Sequence, residues 1–242
     1  MSGGLRLREL PALIGQGIDV LRTMPRLPEA EGTRGAVGGG AVGGDDRTWR
    51  LALLGESTAA GVGVDHNERG LAGHSAAQLA AATGDGAEWT VAARNGATAR
   101  AVTEELLPAL SAPLDAVIVV LGVNDLMRGR SLRAWEGDAR ALLRELRARL
   151  GPDAVVVVSG LPPFGQFPFL EPPLRTVLAR RAHALNAVLE RVTAETGEHF
   201  VPVETELDEP FFSSDRFHPS ARGYSIWAGA LVEPIVEPAR AG

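Results

Sequence analysis

Five residues in four separate motifs could together carry out nucleophilic catalysis. Ser57 lies in GESTAAG, Gly96 in RNGAT, Asn124 in GVND, and Asp215 and His218 in DRFHPS. A serine hydroxyl attacks a carbonyl only when a base takes its proton, and histidine, with an ordinary pKa of about 6.5, suits that task. An aspartate three residues earlier can hold the other ring nitrogen as N–H. The spacing therefore predicts Ser57 as nucleophile, His218 as base and Asp215 as the residue that orients the base.

The oxyanion that forms when a carbonyl is attacked needs preorganised hydrogen-bond donors. One candidate is the Ser57 N–H, which we expect at the start of a helix, where backbone donors are unpaired. A second is the Gly96 N–H, because glycine lets a substrate approach the backbone. The third is the side-chain amide of Asn124, whereas the neighbouring Asp125 is expected to tie the loop backbone together. Each of these residues could also be an ordinary cap or turn residue, so the prediction depends on their meeting in space.

Alternating apolar runs and helical patterns predict the elements that would bring these motifs together. The predicted strands are 49–55, 88–96, 115–122, 154–160 and 199–203, and the predicted helices are 73–83, 98–110, 131–150, 172–197 and 220–238. Such alternation is typical of a parallel sheet covered by helices on both faces. We therefore expect a three-layer α/β/α sandwich with a central, mostly parallel five-stranded sheet. Because chemistry in open parallel sheets gathers at the carboxyl ends of strands, the motifs are expected at one edge.

With these motifs in this order, the chain resembles the SGNH hydrolases, also called GDSL lipases and esterases. The resemblance rests on Ser57, Gly96, Asn124 and His218 in the motifs quoted above, and it covers about residues 49–236. It implies a flavodoxin-like α/β fold and cleavage of small-molecule or lipid esters through an acyl-enzyme, with no cofactor and no metal. The chain departs from the common family pattern at Glu56, where aspartate is usual, and this departure is expected to affect the geometry of that loop.

The predicted organisation has three parts. Residues 1–28 have apolar residues at helical spacing and predict an amphipathic helix, which packs on the domain or makes a weak contact with a membrane surface. Residues 29–46 are rich in glycine and predict a flexible linker. Residues 47–242 are then the SGNH hydrolase domain.

Phenylalanine is distributed unevenly, because all 7 phenylalanines follow residue 163. The candidate substrate-binding residues are Phe164, Phe167, Phe169, Phe211 and Phe212, in two loops that flank the predicted site. One interpretation is an apolar acyl pocket or lid. The other is ordinary packing of these loops onto the edge of the sheet.

Composition excludes several other kinds of chemistry. All 24 basic residues are arginine, and they form no cluster of the kind that tracks phosphates, so no nucleic-acid partner is expected. The absence of cysteine excludes disulfides and thiolate catalysis, and the absence of lysine excludes a phosphate-binding P-loop. No apolar run has the length of a membrane span and no secretory signal pattern is seen, so a cytoplasmic location is expected.

Several alternatives remain open at this point. A specialised carbohydrate O-deacetylase or a thioesterase would use the same groups, since fold does not determine the acyl group or the alcohol. A non-catalytic binding or membrane-associated module on a hydrolase fold is disfavoured by the complete set of residues. An ordinary α/β-hydrolase is disfavoured because its G-x-S-x-G motif needs glycine where Ala59 stands, and because the predicted acid and base are only three residues apart.

Overall fold

A mixed six-stranded sheet forms the centre of the computed structural model, which describes residues 15–16, 25–38, 47–111 and 113–240. The strands are β1 (Arg34–Val37), β2 (Thr48–Gly55), β3 (Gly86–Ala93), β4 (Ala116–Val120), β5 (Val155–Ser159) and β6 (His199–Val201). Their order across the sheet is β1-β3-β2-β4-β5-β6. Strands β2 to β6 are parallel to their neighbours, and β1 runs antiparallel to β3 at the edge.

Helices cover both faces of this sheet. They are α1 (Leu71–Thr83), α2 (Ala99–Ala101), α3 (Val123–Met127), α4 (Leu132–Arg147), α5 (Leu174–Thr196) and α6 (Ala221–Arg240). The Gln78 amide of α1 donates to the Ser225 carbonyl of α6, and the Trp135 indole of α4 donates to the Leu185 carbonyl of α5. The connection from β2 to β3 runs in one direction across the sheet, and the connections from β3 onward to β6 run in the other. Because such connections are right-handed, the pair of α1 and α6 lies on the opposite face from the pair of α4 and α5. The predicted α/β/α sandwich is confirmed.

The middle of the sheet explains why its strands could be recognised. All five residues of β4 are buried, and so are the last five of β2. A strand covered on both faces can be apolar at every position, because neither side of its pleat meets water. Two such strands lie side by side in the sheet and end next to each other, which places the residues that follow them in one region.

The sheet has one strand more than predicted, and the additional strand β1 lies inside the predicted linker 29–46. Gly35 pairs with Trp89 of β3, and a Cβ atom at Gly35 would lie 2.4 Å from the Trp89 ring. Glycine here allows close backbone approach to an aromatic ring, so the linker prediction is wrong for residues 34–37. Residues 39–46 lie outside the described part of the chain.

Most of the amphipathic helix predicted for 1–28 also lies outside the described residues. Of those that are described, Gly15 and Gln16 are helical and residues 25–28 are not. The Gln16 side chain donates to the Pro172 carbonyl and accepts the Leu174 N–H, at 2.9 and 3.1 Å. Within the described ranges, no helix combines the length and the apolar character needed to cross a bilayer.

Candidate active site

The three motifs that follow strands meet where β3, β2 and β4 end side by side. β2 ends at Gly55, and a Cβ atom there would lie 1.9 Å from the Val120 carbonyl oxygen of β4. The same carbonyl accepts the Glu56 N–H at 3.0 Å. Glycine at position 55 therefore lets the two strand ends approach closely, and it places Ser57 beside the segment that follows β4.

Ser57 lies in a series of turns and not at the start of a helix. Ala60 N–H donates to the Glu56 carbonyl at 2.9 Å and Val62 N–H donates to the Ser57 carbonyl at 3.0 Å, whereas α1 begins only at Leu71. The expected helix start is therefore wrong. The Ser57 N–H nevertheless has no hydrogen-bond acceptor among the described residues, so it is available to a ligand.

Ser57, His218 and Asp215 form one continuous hydrogen-bonded chain. His218 Nε2 lies 3.0 Å from Ser57 Oγ, and His218 Nδ1 lies 2.6 Å from Asp215 Oδ2. All three residues are buried. An imidazole with a carboxylate on one nitrogen and a hydroxyl on the other can take the hydroxyl proton while its tautomer stays fixed.

The Asp215 carboxylate is held by its own loop. Its Oδ1 accepts the backbone N–H groups of Phe217 and His218, both at 2.9 Å. Burial by itself raises the pKa of Asp215, but the bond from the His218 side chain and these backbone donors outweigh it, so the pKa lies below its ordinary value. The carboxylate is therefore ionised and its two oxygens have different partners.

Asn124 connects the ends of three strands through its side chain. Its Nδ2 donates to Glu56 Oε2 and to the Ala97 carbonyl, the latter at 3.1 Å. A side-chain amide has two hydrogens on nitrogen, so both are directed to protein acceptors. A substrate oxyanion would accept a hydrogen bond from this amide if one of these bonds were shared or displaced, and the bond to Ala97 is the longer of the two.

Glu56 is a site residue whose role sequence reasoning missed. It is 1% exposed, its Oε1 accepts the Val123 N–H at 2.8 Å, and its Oε2 accepts the Asn124 N–H at 3.0 Å as well as the Asn124 amide. The signal in the sequence was an acidic residue between a buried strand and the candidate nucleophile. Glu56 thus fixes both the backbone and the side chain of Asn124.

The Glu56 carboxyl makes stability depend on pH. Burial raises the pKa of Glu56 from 4.5 to about 7, against the opposing effect of its Asn124 and Val123 donors. The folded state thus binds this proton more tightly than the unfolded state, so the stabilisation is complete below pH 4.5 and is lost as pH rises through 7. We expect the free energy of unfolding to fall by on the order of 3 kcal/mol across this range, and Glu56→Gln to remove that slope. Urea denaturation of both proteins at pH 5, 6, 7 and 8 measures the free energy of unfolding. Parallel curves of this free energy against pH would contradict the prediction.

Gly96 adopts the left-handed conformation, with φ of +80°, which glycine adopts without strain. Its carbonyl accepts a bond of 2.9 Å from the Arg128 guanidinium, a contact that no sequence pattern indicated. The Gly96 N–H has no acceptor among the described residues. Asp125 accepts the Ala99 N–H at 2.9 Å, in agreement with the structural role expected for it.

The candidate substrate-binding phenylalanines divide into two groups. Phe167, Phe211 and Phe212 line a small apolar cavity that Ser57 and His218 also line. Phe164 and Phe169 do not line it: Phe164 is fully buried and stacks on Phe167, with ring centroids 4.7 Å apart, and Phe169 is half-buried. Two residues that were not predicted, Phe217 and Trp227, complete the aromatic wall.

Comparison with known proteins places the chain in one family. Residues 53–226 match the GDSL-like Lipase/Acylhydrolase family. A GDSL-like esterase of Mycobacterium tuberculosis is 29% identical over 90% of this chain and 74% of its own length.

Two solved structures share the fold. TesA has a TM-score of 0.60 and 23% identity, over 78% of this chain and 98% of TesA. Axe2, an acetylxylan esterase from Geobacillus stearothermophilus solved as a catalytic mutant, has a TM-score of 0.56 and 20% identity, over 77% of this chain and 94% of its own. The family match over residues 53–226 covers most of the chain. The chain therefore belongs to the GDSL-like lipase/acylhydrolase family and is an ester-hydrolysing enzyme.

Proposed function

We propose that the chain cleaves carboxylic esters through an acyl-enzyme formed on Ser57. The observation that carries this proposal is the unbroken chain from Ser57 Oγ through the His218 imidazole to the Asp215 carboxylate, with atom separations of 3.0 and 2.6 Å. This arrangement provides a nucleophile, a base and a residue that orients the base.

In the first half of the reaction, Ser57 Oγ forms a bond to the ester carbonyl carbon while its proton passes to His218 Nε2. Asp215 stabilises the imidazolium that results and holds its Nδ1 proton. The tetrahedral intermediate then breaks its bond to the alcohol oxygen, which takes the proton from His218. The alcohol leaves and the acyl group remains on Ser57.

In the second half, His218 takes a proton from water as the water oxygen attacks the acyl carbon. Collapse of this second intermediate breaks the bond to Ser57 Oγ, which regains its proton from His218. The products are a carboxylic acid and the free enzyme. Both halves use groups of this chain alone.

The oxyanion would be bound by the N–H groups of Ser57 and Gly96, which have no acceptor among the described residues. The Asn124 amide would join them by exchanging its bond to the Ala97 carbonyl for one to the oxyanion. Glu56 would keep the rest of Asn124 in place during that exchange, because it holds the Asn124 backbone N–H as well as the amide. Such preorganised donors lower the barrier without reorganisation at the moment of reaction.

A fluorophosphonate probe tests the proposal directly. We expect the folded protein to hydrolyse p-nitrophenyl acetate and to lose that activity when one equivalent of probe attaches. Ser57 Oγ bonds to the phosphorus and fluoride leaves, so the nucleophile is blocked by a stable phosphonyl ester. Mass spectrometry of the digested protein should locate the adduct on Ser57. Attachment elsewhere, or full activity after attachment at Ser57, would contradict the proposal.

Two finer alternatives use the same mechanism. An O-deacetylase acting on carbohydrate is favoured by the acetylxylan esterase among the structural neighbours and by the small cavity beside Ser57. A thioesterase differs only in that sulfur replaces the alcohol oxygen. Comparing acetylated oligosaccharides with acyl thioesters as substrates distinguishes the two.

A further inference from the structure

The cavity beside Ser57 is very small. Its volume is about 20 Å³. A cavity needs roughly 10–15 Å³ to hold a single water molecule, so this one leaves room for a small group only. Its lining is formed by Ser57, Thr58, Val123, Pro162, Phe167, Phe211, Phe212, Phe217, His218, Pro219 and Trp227.

The acyl group is the part of a substrate that suits this cavity. Gly96 and Asn124, the candidate oxyanion donors, do not line it, so a carbonyl bound to them has its oxygen outside the cavity. The alcohol must leave after the first half of the reaction and be replaced by water, which requires an open path. The acyl group instead stays on Ser57 throughout and suits an enclosed apolar space.

Packed aromatic rings form part of the wall of this cavity. The Phe167 ring contacts the rings of Phe212 and Phe217 with centroids 5.3 and 5.5 Å apart, and it also stacks on Phe164. The rings of Phe167 and Phe212 are buried. Well-packed interiors leave few voids and resist local displacement, so lengthening the cavity requires several rings to move together.

The loops that carry these rings are held by hydrogen bonds. Gln166 accepts the Leu207 N–H at 2.9 Å, which joins the two phenylalanine-rich loops. The Phe211 carbonyl accepts the Ser220 N–H at 2.8 Å, which joins the second loop to the start of α6. The wall of the cavity is therefore supported by backbone contacts as well as by ring packing.

We propose that this enzyme is specific for esters of short acyl groups, acetyl and propionyl, and that the Phe167–Phe212–Phe217 wall excludes longer chains. The inference rests on the proposed reaction at Ser57. It concerns the acyl group only and makes no claim about the alcohol.

The first test is the chain-length profile of the whole protein. We expect kcat/KM for p-nitrophenyl esters to be highest for acetate and propionate and to fall on the order of 10-fold or more for each methylene that the cavity rejects. A profile that is flat or rises from acetate to octanoate would overturn the short-acyl inference while leaving the ester hydrolase in place. Absence of hydrolysis for every ester would instead remove the proposed function.

The second test uses a matched pair of phenylalanines. Phe217 and Phe169 are both half-buried and both contact Phe167, with centroids 5.5 and 6.1 Å away, but only Phe217 lines the cavity. We expect Phe217→Ala to raise the ratio of kcat/KM for hexanoate to that for acetate by at least about 10-fold, since removing the ring opens space for added methylenes. Phe169→Ala should change this ratio less than about twofold.

The ratio of kcat/KM values also separates a change in acyl-length preference from a general loss of activity in the Phe217 variant. The Phe217 ring lies 5.1 Å from the His218 ring, so its loss can slow every ester alike, and such a uniform change cancels in the ratio. If Phe217→Ala fails to fold, Phe217→Leu gives the same comparison with a smaller opening. An equal increase of the ratio in the Phe217 and Phe169 variants would overturn the inference, because loosening of the ring cluster would then explain it.

Discussion

Replacing Ser57 with alanine is expected to lower kcat for p-nitrophenyl acetate by about 10⁶-fold without loss of the fold. The alanine variant retains the His218–Asp215 pair and the free backbone N–H groups at positions 57 and 96, yet it has no atom at the position 3.0 Å from His218 Nε2 that can bond to the carbonyl carbon. Direct attack by water, aided by the oxyanion donors alone, is the expected remaining route. Active-site titration and steady-state kinetics on the purified variant measure the loss.

Ser75 provides the matched control. It is another buried serine, and its hydroxyl has no hydrogen-bond partner among the described residues. Removing an unpaired buried hydroxyl leaves no donor or acceptor unsatisfied, so Ser75→Ala should keep its activity and its fluorophosphonate labelling. A decrease of less than about 100-fold in Ser57→Ala would show that another group is the nucleophile.

The parts of the site that could be predicted are those that depend on local pattern. Buried strands are recognisable because both faces are apolar, and the residue types directly after them stand out against that background. This is how Ser57, Gly96 and Asn124 could be expected at one edge before their contacts were known. Asp215 and His218 were recognisable because their three-residue spacing places a carboxylate beside an imidazole.

The parts that could not be predicted depend on contacts between distant segments. Strand β1 has the composition of a linker, and it is a strand because Gly35 fits against the Trp89 ring of β3. The bond from Arg128 to Gly96 joins residues 32 positions apart, and neither residue type requires the other. Likewise the two loops contain five predicted phenylalanines, and only the packed structure shows which of the rings face Ser57.

The Glu56 contacts could be predicted only in part from the sequence. Its place directly before the candidate nucleophile was visible as a departure from the common family pattern. That its carboxylate receives three N–H bonds from the Val123–Asn124 segment depends on the register of β2 beside β4. The role of the longer glutamate side chain is therefore visible only once both strand ends are in place.

Replacing Asp215 with asparagine is expected to lower kcat by about 10⁴-fold, with KM and the fold little changed. The backbone N–H groups of Phe217 and His218 both donate to Oδ1, so the amide oxygen of the asparagine takes that position. The amide nitrogen then faces His218 Nδ1 and can only donate to it. The imidazole is forced into the tautomer with its proton on Nε2, which cannot accept the proton of Ser57. Steady-state kinetics with p-nitrophenyl acetate give the loss, and the rate of fluorophosphonate labelling should fall with it.

Asp208 is the control for this substitution. It is a loop aspartate near the same segment, its Oδ1 also accepts a backbone N–H, from Phe211 at 3.1 Å, and its carboxylate pairs with the exposed Arg222. Asparagine keeps the acceptor for Phe211, so Asp208→Asn should remain within about twofold of the parent enzyme, since exposed ion pairs contribute little. If Asp215→Asn stays within about 10-fold, the orientation of His218 does not depend on the carboxylate, and the site works as a Ser57–His218 dyad. If both variants lose activity equally, the cause is disturbance of the loop and not the tautomer of His218.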